Sequence, residues 1–286
     1  MADWDCGWPA PAKINLFLHI LGRRADGMHE LQTLFQFLDF GDSLAFRLRR
    51  DGRIRRASGP DGVAAESDLA VRAARLLQER AGTRLGADIA LTKRTPVGGG
   101  LGGGSSDAAT VLVGLNHLWE TGLDAPALSE LALGLGADVP VFVGGHAAWA
   151  EGVGERLASA EPREPWYLVV VPPVAVATAE VFSDPELTRN RAPITIRDFL
   201  SRGGGNDCEP VVRRRFPEVA EALDWLAAQS TIPRLSGTGG CAFGAFADEA
   251  RARRARAKLP ARWRGIVARG ANRSALQVRM DTLTGA

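Results

Sequence analysis

Six glycines fall within residues 98–104, and they sit between a strand pattern and a helix pattern. The segment Pro96-Val97-Gly98-Gly99-Gly100-Leu101-Gly102-Gly103-Gly104-Ser105-Ser106-Asp107 follows an alternating run at residues 87–93. Beyond it, Val111, Leu112, Leu115, Leu118 and Trp119 recur at helical spacing. Glycines leave backbone N–H groups uncovered and permit positive φ, so such a loop can wrap closely around an anion. It delivers the chain to a helix N-terminus, where unpaired N–H groups and the helix dipole favour phosphate. A flexible linker is the competing reading, but linkers do not usually join a strand to an amphipathic helix. Ser105 and Ser106 are placed to cap the helix or to touch a phosphate or metal. A P-loop requires a lysine directly after its last glycine, and none follows here. Gly98, Gly100 and Gly103 fit a dinucleotide fingerprint, which also needs an acid ending a second strand about 20 residues on. Glu120 has that spacing but ends a helix, so the dinucleotide reading fails on context.

The surrounding chain is that of an ordinary globule, with 45% apolar and 24% charged residues and a net charge of +2. A balanced charge argues against a general nucleic-acid binder. The arginine runs at 213–215 and 251–256 read as solvated helix faces. Only Lys13, Lys93 and Lys258 are lysines among 35 basic residues, so each lysine marks a place where arginine was not used. Cys6, Cys208 and Cys241 are odd in number and far apart, which fits reduced thiols and neither a disulfide framework nor a zinc ribbon. The acidic, aromatic first residues do not form a secretory signal. The most apolar stretch, 167–179, is split by Pro172 and Pro173, so no membrane span is expected.

Strand patterns are expected at 13–21, 44–48, 87–93, 167–171, 241–247 and 265–269. Helices are expected from Ser67-Asp68 to about Arg80, from Ser105, from near Pro126, and at 197–202, 217–228 and 248–258. The interleaving has no regular βαβ period, so an α+β fold is expected. A length of 286 residues suggests two domains at roughly 150 residues each. The charged, proline-bearing stretch 158–165 is the linker candidate. The expected division is residues 1–157 and residues 158–286.

The glycine loop resembles the second motif of the GHMP small-molecule kinases. Lys13-Ile14-Asn15-Leu16 resembles their first motif, and Ser236-Gly237-Thr238-Gly239-Gly240-Cys241 their third. Further stretches, at 11–18, 24–42, 136–142 and 205–209, resemble the 4-diphosphocytidyl-2-C-methyl-D-erythritol kinase branch, and the likeness runs over residues 11–279. It implies a ribosomal-protein-S5-like N-terminal domain that binds ATP and a ferredoxin-like C-terminal domain that binds substrate. The implied reaction is ATP-dependent phosphorylation of the 2-hydroxyl of 4-(cytidine 5'-diphospho)-2-C-methyl-D-erythritol, in the non-mevalonate isoprenoid route. ATP is the implied phosphoryl donor, with Mg²⁺ expected and no protein metal ligand assigned. The implied partner is that small molecule alone, without nucleic acid or membrane, in a cytoplasmic monomer or homodimer. A homoserine or mevalonate kinase is the alternative within the superfamily.

The resemblance also assigns residues. Asp138 matches the catalytic base, and Lys13 the lysine that bonds this acid and the reacting hydroxyl. Asp138 alone would otherwise read as a turn carboxylate. Lys93, Pro96, Val97, Gly98, Gly99, Gly100, Leu101, Gly102, Gly103, Gly104, Ser105 and Ser106 fall on the nucleotide side, although Lys93 reads equally well as a strand-end surface lysine. Asn15 matches a residue near the erythritol group, His29 the reader of the cytosine edge, and Phe182 an aromatic stacked on the base. Thr178 and Asp184 flank Phe182 as polar contacts. Met28 stands where the family usually has a tyrosine over the other face of the base. His117 and His146 read as structural.

Overall fold

The computed structural model describes residues 3–60, 62–229 and 231–285. Two long strands, β1 (Asp5–Arg23) and β2 (His29–Arg49), pair antiparallel around a tight turn. In that turn Gly27 takes φ of 86° and donates to the Arg24 carbonyl. The alternation expected at 13–21 places one face inward, yet both faces are covered. Lys13 and Asn15 are each 2% exposed although they alternate with Ile14 and Leu16.

β2 is the spine of the sheet. Its C-terminal part pairs β4 (Gly86–Thr92), which in turn holds β3 (Ile54–Ser58) in parallel. Its N-terminal part, at Thr33 to Phe35, pairs β5 (Ala148–Glu151), whose other neighbour is β6 (Arg156–Ser159). Ala158 and Ser159 therefore belong to a strand, and the linker read at 158–165 begins after them. Four helices pack on this part: α1 (Leu69–Ala81), α2 (Gly103–Leu118), α3 (Ala125–Leu135) and α4 (Val139–Gly144). Asp68 caps α1 by accepting from the Ala70 N–H at 2.9 Å, as the Ser67-Asp68 signal predicted. α4 was not anticipated; it is six residues long and opens on Val139-Pro140.

The remaining chain runs β7 (Trp166–Val171), α5 (Thr178–Phe182), α6 (Ile196–Arg202), α7 (Glu209–Arg215), α8 (Pro217–Ala228), β8 (Pro233–Leu235), β9 (Ala242–Phe246), α9 (Glu249–Ala257) and β10 (Arg264–Ala271). Its strands lie side by side in the order β10-β7-β9-β8, all antiparallel. Strand, helices, two strands, helix and strand in that spatial order make the ferredoxin-like arrangement. β10 also pairs β2 at Gly270 and Ala271, so one ten-stranded sheet crosses the whole molecule. A last helix, α10 (Ala275–Thr284), returns to β1, where the Arg279 guanidinium lies 4.3 Å from the Trp8 ring centre.

β1 threads three apolar cores in succession. Trp8 and Ala10 join the core under the first four helices. Ala12, Ile14, Leu16 and Phe17 join a central core with Trp149, Tyr167, Val169 and Phe243. Leu18 and Ile20 enter the core beneath α7 and α8. Buried from Ala10 to Ile20, the strand holds Lys13 and Asn15 rigidly where the cores meet.

Candidate active site

The three motifs meet as backbone against backbone. The Lys13 N–H donates to the Leu101 carbonyl at 2.9 Å, and the Ser236 hydroxyl donates to the Gly100 carbonyl at 2.8 Å. Gly100 has φ of 72°, and a Cβ there would stand 2.1 Å from the Ser236 carbonyl oxygen. No other residue fits that approach. Asn206 pins the Ser236 loop from behind, donating to the Leu235 and Gly237 carbonyls at 3.0 and 2.7 Å. α2 starts at Gly102 with no side-chain cap, so the N–H groups of its first turn remain available to an anion.

Lys13 and Asp138 come together at the loop's edge. The Lys13 ammonium lies 3.1 Å from Asp138 Oδ2, 2.7 Å from Asn15 Oδ1 and 5.1 Å from the Phe35 ring centre. Asp138 occupies the N-cap position of α4, but its carboxylate accepts no capping bond from that helix. It turns to the lysine instead, with 38% of its side chain open to solvent. The carboxylate is thus accessible to a substrate hydroxyl while its partner lysine is enclosed.

Lys93 is not a surface lysine. It bridges Asp42 at 2.6 Å and Asp107 at 2.7 Å beneath the glycine loop. Asp42 also accepts the Arg94 and Thr95 N–H groups, which fixes the chain entering the loop. Burial pushes the Asp107 carboxyl up to about 7; Lys93 draws it back and Asp42 adds to the rise. Burial works against the Lys93 ammonium, but Asp107 and Asp42 outweigh it and hold the ammonium above its usual range. Ser106 Oγ and Asp107 Oδ1 are buried without a hydrogen-bond partner.

One cavity of about 970 Å³ joins these parts to a second, aromatic end. Lys13, Asn15, Met28, His29, Lys93, Pro96 to Ser105, Asp138, Thr178 and Phe182 all line it. Ser106 lies just behind its wall, fully buried. Asp184 does not line it. Its carboxylate accepts the Glu186 N–H at 2.9 Å and pairs with Arg214 at 2.8 Å and Arg215 at 3.3 Å. These contacts, the backbone bond foremost, hold Asp184 below the usual carboxylate range. Two arginines read as solvated thereby account for an aspartate read as a substrate contact.

At the aromatic end the His29 and Phe182 rings stack, with centres 4.8 Å apart and planes 20° from parallel. The Phe182 face turned to His29 is therefore covered by the imidazole. Thr178 bonds Thr238 of the third motif at 2.9 Å, tying α5 to the Ser236 loop. Met28 is 48% exposed at the rim. Asp42, Asp107, Asn206, Thr238 and Arg189 escaped sequence reading as site residues. Asp107 and Thr238 stood inside quoted motifs and Asp42 and Asn206 inside the stretches 24–42 and 205–209, without a role read for them, whereas Arg189 lies in none of these.

Residues 68–146 match the GHMP kinases N terminal domain, and residues 186–265 match GHMP kinases C terminal. A 4-diphosphocytidyl-2-C-methyl-D-erythritol kinase of Halorhodospira halophila is 58% identical over 284 residues, 98% of each chain. One of Pseudomonas syringae pv. tomato is also 58% identical, covering 96% of this chain and 97% of its own. A crystal structure of 4-(cytidine 5'-diphospho)-2C-methyl-D-erythritol kinase superposes with a TM-score of 0.80 at 37% identity, over 94% of this chain and 99% of that one. A Methanococcus jannaschii mevalonate kinase shares the fold, with a TM-score of 0.65 at 13% identity over 95% and 99% of the two chains. With its three motifs nested around one lysine–aspartate pair, the chain belongs to the 4-diphosphocytidyl-2-C-methyl-D-erythritol kinase family of the GHMP kinases.

Proposed function

We propose that the chain transfers the γ-phosphoryl group of ATP to the 2-hydroxyl of 4-(cytidine 5'-diphospho)-2-C-methyl-D-erythritol. The observation that carries this reading is the shared cavity, in which an anion-binding glycine loop and an aromatic wall flank the Lys13–Asp138 pair. The ATP phosphates lie along residues 96–106, where the free N–H groups of α2 meet them. The acceptor hydroxyl lies beside Asp138, which takes its proton, while Lys13 holds the carboxylate and the developing alkoxide. Phosphoryl transfer asks mainly for positioning and charge neutralisation, and a buried lysine on a rigid strand supplies both. Asn15 fixes the ammonium and faces the erythritol. Mg²⁺ would neutralise phosphate charge here. Asp107, which lines the cavity and leaves Oδ1 without a hydrogen-bond partner, would hold it.

The cytosine takes the end lined by Met28, His29, Thr178 and Phe182. Because the imidazole already covers Phe182, the base packs against this stacked pair and meets the histidine at its edge. In domain terms, residues 1–157 carry the nucleotide loop and the catalytic pair, and residues 158–286 carry the Phe182 wall. The homoserine and mevalonate kinase alternatives have no use for that wall. The enzyme works in the cytoplasm as a monomer or homodimer; among the described residues no helix is long and apolar enough to cross a membrane. ADP release measured over a panel of acceptor alcohols tests the assignment. The cytidine diphosphate methylerythritol is expected to turn over far above homoserine or mevalonate, and equal turnover of either would overturn it.

Met28→Tyr is expected to tighten the cytidine substrate a few-fold and leave ATP affinity alone. Aromatic pairing is worth about 0.5–1.5 kcal/mol, and sulfur–aromatic contact about 0.3–1.5 kcal/mol. The overlap of those ranges keeps the gain small. Titration of substrate into both proteins without ATP reads it. Unchanged affinity would place residue 28 away from the base.

A further inference from the structure

Arg189 spends every arm of its guanidinium on the aromatic wall. Its Nε–H donates to His29 Nε2 at 3.1 Å. Its Nη2 donates to the Phe182 and Asp184 carbonyls, both at 2.8 Å, and its Nη1 to the Leu187 carbonyl at 3.1 Å. One side chain, 160 residues from the histidine that begins β2, thus ties that histidine to the segment that carries Phe182. The two stacked rings are held in register by the same planar fork.

A guanidinium only donates. The nitrogen facing it must therefore keep its lone pair, which leaves a neutral imidazole a single place for its proton. We infer that Arg189 is a positioning residue that fixes His29 as the Nδ1–H tautomer, so the imidazole offers the cavity a hydrogen-bond donor. Among the described residues Nδ1 has no protein partner, and the ring lines the cavity. Burial first, then the nearby Arg189 and Arg23 charges, hold the imidazole below its usual range and keep it neutral. A donor at this point suits a base edge that presents acceptors, as cytosine does with N3 and O2. It discriminates against an edge that presents a donor there, because two opposed N–H groups would be desolvated without a bond. This specificity role rests on the proposed cytidine reading of the cavity; the tautomer itself does not.

The chain has four histidines, so the imidazole nitrogens can be followed individually by ¹⁵N NMR, with His29→Gln assigning the signal. The intact protein without substrate is expected to show His29 neutral and protonated on Nδ1. Arg189→Gln is expected to lose that pattern and to raise the KM for the cytidine substrate about five- to tenfold, the cost of a misplaced charge-assisted contact. Its kcat and KM for ATP are expected to stay near wild type. A wild-type His29 protonated on Nε2, or an Arg189→Gln spectrum identical to wild type, overturns the tautomer assignment whatever the kinetics. A changed spectrum with an unmoved substrate KM overturns the specificity role. The NMR arm needs neither substrate nor ATP, so its failure is distinct from a failure of the proposed function. The wild-type spectrum also keeps the test decisive if Arg189→Gln does not fold.

Discussion

Asp138→Asn is expected to slow phosphoryl transfer by roughly 10²–10⁴-fold, the usual contribution of a positioned general base, with ATP binding retained. Asparagine keeps the shape of the side chain and removes its basicity. The exchange spares the fold, because the Asp138 carboxylate gives α4 no capping bond that could be lost. Among the described residues its polar link to the glycine loop runs through Lys13, which the exchange leaves in place. Single-turnover rates at saturating ATP, set beside an ATP titration, separate the chemical step from binding. A loose transition state asks less of a base, which places the lower end of the range within expectation. Turnover near wild type would remove Asp138 from the base role and leave it as a holder of Lys13.

How far this site could be read from sequence depends on whether each residue's role is local. The glycine loop was legible because its work is done by its own backbone and by the helix directly after it. Lys13 and Asn15 were legible as same-face neighbours two apart on a strand, and they are indeed hydrogen-bonded. The strand of residues 29–43 was not legible. β2 is buried on both faces from Gln32 to Leu38, so no alternation marks it there, and only its half-exposed end at 44–48 shows the period. The same burial hid α4, whose Val139, Pro140, Val141, Phe142 and Val143 are all enclosed. Asp184 misled because proximity in sequence to Phe182 was taken for proximity in the cavity. Arg214 and Arg215, from α7, turn it away. Arg189 carries no motif at all. Its role exists only because the chain folds His29 and Phe182 onto either side of it.

Lys13→Arg is expected to be nearly as damaging as Lys13→Ala, each costing about 10²–10³-fold in turnover, the scale of losing one preorganised charge contact. Both changes leave the backbone bond from residue 13 to Leu101 in place, so the loop still closes. The difference lies in shape. Asp138, Asn15 and the Gly100 carbonyl surround the ammonium at 3.1, 2.7 and 3.4 Å, converging on one point. A planar guanidinium spreads its donors over several ångströms and cannot serve three partners around a point. There is no room for the larger head either. The lysine is 2% exposed, and a Cβ at Gly102 would already sit 3.1 Å from its Cε. Forcing arginine in would displace either the Asp138 carboxylate or the glycine loop, and overpacking of this kind commonly costs about 1–3 kcal/mol. Arginine should accordingly lower the melting temperature as well as the rate, and alanine should lower the rate without the overpacking. Thermal melts and single-turnover rates on both variants separate the two effects. An arginine variant that kept most of its activity would show that Lys13 supplies only diffuse positive charge, and the fixed geometry around Asp138 would not then be what the reaction needs.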